Sequence, residues 1–337
     1  MIQTAIARAV AFENLSRELA RVSMEQILAG EATPAQIAAL AIALRMKGET
    51  ADEIAGMAEA MRQRVSPLRT RRAPLLDTCG TGGDNAHTFN ISTTVAIVTA
   101  SCGVAVAKHG NRAVSSRTGS ADVLETLGVG IDLTPEDAGR SLDVVGITFL
   151  FAPNYHGAMR HAAGPRRELG MGMRTVFNAL GPLTNPAGAP RQLLGVYSDN
   201  LVPMLADVLR QLGSERALVV HGADGLDELS TTGWNFAIDM NAGKLNEVTI
   251  GPETVGVPVA KAADLLGGLV AENVTIARQI LAGKKGPKRD IVVMNAAVAL
   301  VAAGQAKNPK DGAEKAAEAI DSGAAQKKLD QFVAATK

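Results

Sequence analysis

Aromatic side chains are scarce in this 337-residue chain: one Trp, two Tyr and seven Phe make up 3% of it. Hydrophobic residues still account for 47%, so the core has to be built from Ala, Val, Ile, Leu and Met, with 34 glycines for turns and close approaches. Charge of one sign is not in excess either, because 34 Lys and Arg balance 34 Asp and Glu. A dominant nucleic-acid or membrane-surface role needs a basic excess, and the balance disfavours both. Cysteine is limited to Cys79 and Cys102, neither in a metal-ligand spacing such as C-x-x-C, which fits a reducing compartment. Long apolar runs are missing: the stretch Ile291 to Ala303 is short for a membrane span and carries Asn295. The first twenty residues alternate charged and apolar positions without the apolar centre of a secretory signal, so a cytoplasmic location is expected. Repeats and low-complexity tracts are also lacking.

What is present reads as a two-part α/β protein. The length favours two domains. Residues 1–72 carry helical periodicity only, in stretches centred on Leu15 to Leu28, Ile37 to Leu44 and Ile54 to Met61, with Thr33-Pro34 and Thr50 as starts and Gly30 and Gly48 as stops. The basic run Arg62, Arg64, Arg69, Arg71 and Arg72 around Pro67 reads as a solvated linker. Residues 73–337 alternate short apolar runs with helical stretches, which predicts βα units and a mostly parallel central sheet surrounded by helices. Phe236 to Asp239 and Leu245 to Ile250, joined by Asn241-Ala242-Gly243, predict a late hairpin. The C-terminal third is expected to be helical over Leu265 to Leu281, Arg289 to Ala303, Gly312 to Asp321 and Ala325 to Val333. Phe151 to Ala189 fits neither period, and a connection that long is more often functional than filler. Part of it, 165–190, is expected to pack on the helical domain.

The richest stretch is Leu75 to Gly128. An apolar run ends at Asp77, and Gly80-Thr81-Gly82-Gly83-Asp84 then supplies three glycines in four positions, where a backbone can turn with positive φ and present bare N–H groups to phosphate. Asn90-Ile91-Ser92-Thr93 reads as a helix start in front of Val95 to Val98, a second place for an anion. Gly103 to Ala107 delivers Lys108-His109-Gly110-Asn111-Arg112, and Ser115-Ser116-Arg117-Thr118-Gly119-Ser120 opens another helix. Two loops and two helix starts thus converge on one polyanion. Further along, Asp227-Glu228 is a paired carboxylate in a loop after an apolar run that ends at His221. By itself such a pair is more often a solvated acidic loop; the functional alternative is that carboxylates acting with substrate phosphates are the usual way to hold Mg²⁺.

Taken together, DTCGTGGD with FNISTTVA, AVAKHGNRAVSSRTGSADVLETLG, RTVFNALGPLTNP and Asp224-Gly225-Leu226-Asp227-Glu228 resemble the anthranilate phosphoribosyltransferase family over nearly the whole chain. The resemblance implies a small helical domain on a larger α/β domain, with the site between them. It implies transfer of phosphoribose from phosphoribosyl pyrophosphate (PRPP) to the amine of anthranilate, with Mg²⁺, in tryptophan biosynthesis, by a homodimer joined through the helical domain. On the donor side it points to Gly80 to Asp84, Thr88, Asn90, Ile91, Ser92, Thr93, Lys108, His109, Gly110, Asn111 and Ser120. Ser92, Asp227 and Glu228 are implied as metal-binding. On the acceptor side it points to Gly80, Asn111, Arg166, His109, Tyr155, His156 and Pro182, with Arg166 on the anthranilate carboxylate.

Displacing diphosphate from a ribose carbon develops oxocarbenium character, so neutralising departing charge and aligning the amine matter most. An arylamine is nearly neutral and sheds its proton late, so no acid or base is assigned. Cys79 has no neighbouring base to activate it as a nucleophile, and Trp234 is expected to pack rather than stack on a ligand. Two alternatives share the architecture, a pyrimidine nucleoside phosphorylase and a non-catalytic nucleic-acid-binding relative. The Lys108 to Arg112 run and the neutral charge favour the transferase. Departures from the family pattern fall on the acceptor side: Gly157 after His156, Gly164-Pro165 before Arg166, and a longer Gly170 to Met173.

Overall fold

The structure, a computed structural model, describes residues 1–84, 86–113, 118–170 and 173–337. The serines of the expected helix start at 115–116, Arg117, and Met171-Gly172 of the longer acceptor segment lie outside the described residues.

The N-terminal unit is all helix: α1 Ile2–Val10, α2 Arg17–Ala29, α3 Pro34–Lys47 and α4 Ala51–Gln63. The sequence reading anticipates α2 to α4; α1 is an addition, amphipathic over only nine residues and buried at Ile2, Ala5 and Ala9. Capping boxes start α3 and α4: the Thr33 and Thr50 hydroxyls accept the N–H groups of Gln36 and Glu53, and those side chains reach back to the cap N–H groups. Gly56 lets α4 lie against the start of α2, since a Cβ there would stand 2.1 Å from the Arg17 carbonyl oxygen. The Glu53 carboxylate accepts Leu15 N at 2.7 Å and Thr50 N at 2.8 Å and meets the buried Lys47 ammonium at 3.1 Å, so a fully satisfied ion pair ties three helix ends together.

The second unit alternates strands and helices: β1 Leu75–Gly80, α5 Ile91–Ser101, β2 Ala105–Gly110, α6 Ser120–Leu127, α7 Pro135–Val145, β3 Ile147–Phe151, the short α8 Ala152–Tyr155, α9 Arg160–Glu168, α10 Val176–Leu180, β4 Arg191–Gly195, α11 Leu201–Gln211, β5 Arg216–His221, then β6 Asn235–Asn241 and β7 Lys244–Ile250. Helices α12 Pro252–Val255, α13 Val270–Leu281, α14 Pro287–Ala302, α15 Pro309–Asp321 and α16 Ala324–Ala335 complete the chain. The strands form one sheet in the order β3-β2-β1-β4-β5-β6-β7. β1 to β5 pair in parallel, and the β6–β7 hairpin adds antiparallel at one edge. Ala242 and Gly243 make its two-residue turn with φ of 48° and 79°, the left-handed pair that matches strand twist.

Two apolar layers sandwich the sheet. One holds α5, α13, α14, α15 and α16. The other runs without a break from α1–α4 through Ala162, Val176, Phe177 and Leu180 to the facing residues of β4, β5 and β6. The helical unit and the 160–183 connection therefore share one core with the sheet. Two expectations are corrected. The helix expected from Leu265 begins at Val270, because Gly267 and Gly268 break the chain and bring it against Phe89 and Glu272. Trp234, expected to pack, is 59% exposed, its ring lying beside Gly251 just before β6 begins.

Candidate active site

The chain winds outward from β1 to β3 on one side and from β4 to β5 on the other, so the sheet reverses direction between β1 and β4. Ligands of open parallel sheets bind at the carboxyl ends of the strands at such a point. Gly80 ends β1 and pairs with Gly195, which ends β4. Both face Asp227 closely. A Cβ on Gly195 would stand 1.6 Å from the Asp227 carbonyl oxygen, and one on Gly80 would stand 2.2 Å from Asp227 Oδ2. The pair opens a notch that the loop after β5 fills with Asp227 and Glu228.

That loop is held from two sides by buried asparagines. Asn235 Oδ1 accepts Ala223 N at 3.1 Å and Ser230 N at 2.7 Å. Asn295, on α14, takes Leu229 N at 2.9 Å and returns its Nδ2 to the Leu229 carbonyl at 2.8 Å. The carboxylates are thereby aimed at the glycine loop and the start of α5: Asp227 Oδ2 accepts Gly82 N at 2.6 Å, and Glu228 Oε1 accepts Ser92 N at 3.1 Å. Burial, then the charges of Asp84 and Glu228, push the Asp227 carboxyl well above the usual range. Burial likewise pushes Glu228 up to about 7, against the pull of Lys108.

Gly82 and Gly83 take φ of 69° and 80°, as the sequence pattern requires. Thr81 is tied down by its N–H to the Gly195 carbonyl at 3.0 Å and by its hydroxyl, which accepts Tyr197 N at 3.2 Å. Asp84 Oδ1 accepts Ala86 N at 3.2 Å. Thr88 forms an isolated antiparallel bridge with Leu266. Asn90 caps α5 by position only; its side chain serves two other segments, donating to the Thr118 carbonyl at 3.2 Å and accepting from Asn273 at 3.1 Å. Ile91 turns its side chain into the core, 2% exposed, so its backbone alone faces the loop. Among the described residues the buried Thr93 hydroxyl has no hydrogen-bond partner. Lys108 is 3% exposed and donates to Ser92 Oγ at 3.3 Å and to the Thr78 carbonyl at 2.5 Å. Ser120 Oγ donates to the Asn111 carbonyl at 3.3 Å, across a gap that only Gly110 permits, since a Cβ there would reach Ser120 Oγ at 2.2 Å.

Next to Lys108, the rings of His109 and His156 stand 5.1 Å apart, and among the described residues neither buried Nε2 has a hydrogen-bond partner. Burial pushes His109 down to about 3, helped by His156 and Lys108, and pushes His156 down to about 4. Both imidazoles are neutral at neutral pH. Gln192 Nε2 bonds the Pro182 carbonyl at 2.7 Å and Cys79 Sγ at 3.1 Å, which seats the 181–183 turn over the end of β1. Arg166 sits on α9 with its guanidinium 5.3 Å from the Phe177 ring. Burial lowers its pKa, and among the described residues no carboxylate pairs with it. Tyr155 is placed elsewhere than expected. It is 2% exposed and packs among Leu75, Ala107, Ala138, Leu142 and Leu150, because α8 turns it back under the edge of the sheet, so it supports the segment from behind. Cys79 is buried and its thiol is pushed well above its ordinary value by burial, then by Asp77, which leaves no nucleophile there.

Several supporting residues were not anticipated. Asp77 is fully buried, accepts His109 N at 3.1 Å and holds β2 in place beneath Lys108. Asn185 Nδ2 bonds the Ala107 carbonyl at 2.8 Å. Arg174 stacks its guanidinium 4.1 Å from the Tyr197 ring, lies beside Gly83, and accepts Arg45 of α3 on its carbonyl, so it spans helical unit and donor loop. Its position inside RTVFNALGPLTNP was the sole signal available. Among the described residues no set of three or more His, Cys, Asp or Glu is arranged to hold a metal ion. The two carboxylates and the Ser92 hydroxyl are an all-oxygen partial set that leaves coordination positions for water and substrate, which suits Mg²⁺ rather than a closed metal cage.

Known proteins agree with this layout. A model of the glycosyl transferase family a/b domain matches residues 72–326, and a model of the glycosyl transferase family helical bundle domain matches residues 3–65. Fold and site define a two-domain glycosyl transferase. The anthranilate phosphoribosyltransferase of Moorella thermoacetica is 56% identical over 99% of this chain and 98% of its own length, and that of Citrifermentans bemidjiense is 53% identical over 100% and 99%. The crystal structure of the Thermus thermophilus enzyme superposes with a TM-score of 0.93 at 46% identity, covering 98% of this chain and 99% of that one. The Saccharomyces cerevisiae enzyme in complex with PRPP and Mg superposes at 0.90 with 28% identity over 99% and 97%. The chain belongs to the anthranilate phosphoribosyltransferase family.

Proposed function

We infer that this chain transfers the phosphoribosyl group of PRPP to the amine of anthranilate, giving N-(5-phosphoribosyl)anthranilate and pyrophosphate in tryptophan biosynthesis. One observation carries the reading: Asp227 and Glu228 accept the backbone N–H groups of Gly82 and Ser92, which brings the acidic pair, the glycine loop and the start of α5 to one place at the carboxyl ends of β1 and β4. Ser92, Asp227 and Glu228 would hold Mg²⁺, which when bound would supply positive charge to the leaving diphosphate. Gly80 to Asp84 wrap the donor with backbone N–H groups, and Asn90, Ser92 and Thr93 at the start of α5 receive its diphosphate. The Lys108 ammonium holds Ser92 Oγ and neutralises part of the departing charge. The bond from ribose C1 to the diphosphate oxygen breaks as the bond to the amine nitrogen forms; diphosphate leaves with the electron pair, and the arylammonium nitrogen then sheds one proton to solvent.

The acceptor reading rests on Arg166, a half-buried guanidinium that no carboxylate among the described residues pairs with, whose planar fork matches the anthranilate carboxylate. Asn111 and the neutral imidazoles of His109 and His156, with Pro182 beside them, line the ring. Two free thiols fit a cytoplasmic location, and among the described residues no helix is long and apolar enough to cross a membrane. A homodimer through the helical domain is supported by the exposed apolar ends of α1 and α3.

The test mixes protein with PRPP, Mg²⁺ and anthranilate and follows the loss of anthranilate fluorescence. Turnover should require all three, and Arg166→Ala should raise the KM for anthranilate at least tenfold, roughly the worth of a charge-assisted pair, with little change for PRPP. Turnover with another aromatic amine but not anthranilate would overturn the acceptor assignment. An equal effect of Arg166→Ala on both substrates would overturn its role.

A further inference from the structure

Four hydrogen bonds close a ring around the start of α5. Gly268 N donates to Asn273 Oδ1 at 2.8 Å, Asn273 Nδ2 donates to Asn90 Oδ1 at 3.1 Å, Asn90 Nδ2 donates to the Thr118 carbonyl at 3.2 Å, and Thr118 Oγ1 donates to the Gly268 carbonyl at 3.3 Å. The members come from three places that are far apart in sequence: the lead into α5, the turn into α6, and α13 with the two glycines before it. The sense of the ring is dictated by chemistry. A backbone N–H can only donate, so Gly268 fixes which atom of the Asn273 amide turns inward; that amide then presents N–H to Asn90, and Asn90 must turn its own N–H to the Thr118 carbonyl. Asn273 is 2% exposed, which makes its two bonds costly to lose. The approach is tight enough to require glycine. A Cβ on Gly267 would stand 2.6 Å from Asn273 Oδ1 and 2.6 Å from Phe89 N. The neighbouring backbone is tied as well, through Gly267 N to the His87 carbonyl at 2.9 Å and the Thr88–Leu266 bridge.

We propose that Asn273 is a positioning residue for the donor site: through Asn90 it sets the amide that opens α5 and locks the α5 and α6 starts to one another. It touches no substrate itself. The proposal rests on the reading of Asn90 to Thr93 as the PRPP diphosphate site. With Asn273 truncated, Asn90 is free to rotate and to leave the Thr118 carbonyl, so the diphosphate meets a helix start whose cap residue has lost its orientation. The acceptor pocket, built by β2, the 181–183 turn and α9, is not part of the ring.

The experiment is a double-mutant cycle of Asn273→Ala and Asn90→Ala, with KM measured separately for PRPP and anthranilate and PRPP binding to each variant followed by titration calorimetry. Each single variant should weaken PRPP about five- to tenfold, the range given by losing one or two hydrogen bonds. The anthranilate KM should stay within about twofold of wild type. The double variant should be no weaker than Asn90→Ala alone, because the second residue acts through the first. Thr118→Val opens the same ring at its opposite bond and should shift PRPP in the same direction, which keeps the test alive if Asn273→Ala folds poorly. PRPP constants in Asn273→Ala and Thr118→Val equal to wild type, or fully additive losses in the double variant, would overturn the positioning role while Asn90→Ala remained impaired. Failure of wild type to bind PRPP would instead overturn the functional reading on which it rests.

Discussion

His109 and His156 show how burial sets chemistry residue by residue. Their rings are 5.1 Å apart with no carboxylate between them, and burial drives both well below the ordinary imidazole value, to about 3 and about 4. An unfolded chain takes up a proton on each below pH ~6.5; the folded protein does not until far lower. Between those limits the unfolded state binds more protons, so this contribution to stability is present above pH ~6.5 and is lost as pH falls toward the folded values. The stability advantage of wild type over His156→Gln, read from denaturant melts, should therefore shrink between pH 7 and 4 by up to ~1.4 kcal/mol per pH unit. A constant difference across that range would contradict neutral burial. Raised carboxylates such as Glu228 act in the opposite sense over the same range, which is why the comparison is made between variants rather than on wild type alone.

Among the elements, the ends of β1 and β4 decide the site. Gly80 and Gly195 are paired neighbours, yet a methyl group would meet different things at each. At Gly195 it would strike the Asp227 carbonyl oxygen at 1.6 Å, which is backbone and cannot step aside; at Gly80 its nearest neighbour, at 2.2 Å, is the carboxylate end of the same residue. Gly195→Ala should lose ~3 kcal/mol or more of stability in thermal or denaturant unfolding. Gly80→Ala should stay within ~2 kcal/mol of wild type but displace the Asp227 carboxylate and weaken Mg²⁺-dependent PRPP binding at least about tenfold, the worth of one charge-assisted contact. Equal stability losses in the two variants would show that the notch is not shaped as described. The glycine run at 80–83 was legible as a left-handed turning loop because positive φ leaves a compositional mark. Gly195 was not, since a single glycine at a strand end has no such signature and its reason lies 32 residues away in a loop.

In the whole molecule, one apolar layer joins the helical unit to the sheet, while α1 and α3 leave Val10, Phe12 and Met46 at 63%, 64% and 69% exposure. Isolated exposed apolar residues are ordinary; in the homodimer proposed above, a second copy would cover these three. The protein should have twice its 34.9 kDa chain mass by light scattering, and Phe12→Glu with Met46→Glu should halve it. A wild-type monomer would remove the dimer. Sequence alone determined the helical and α/β halves, the mostly parallel sheet and the hairpin, and it pointed to the glycine loop and the Asp227-Glu228 pair, because these depend on local periodicity, turn chemistry and short motifs. It gave α5 its start at Asn90 and Ile91 but could not say that the Asn90 side chain is engaged by Thr118 and Asn273. Tertiary structure alone decided that Tyr155 turns into a core, that Asp77 and Lys108 lie beneath the site, that Asp227 fills the notch between two strands, and that Asn273 and Asn295 anchor the loops around it. Those facts depend on which distant segments share a few ångströms of space, and a buried hydrogen-bond partner can be supplied from anywhere in the chain.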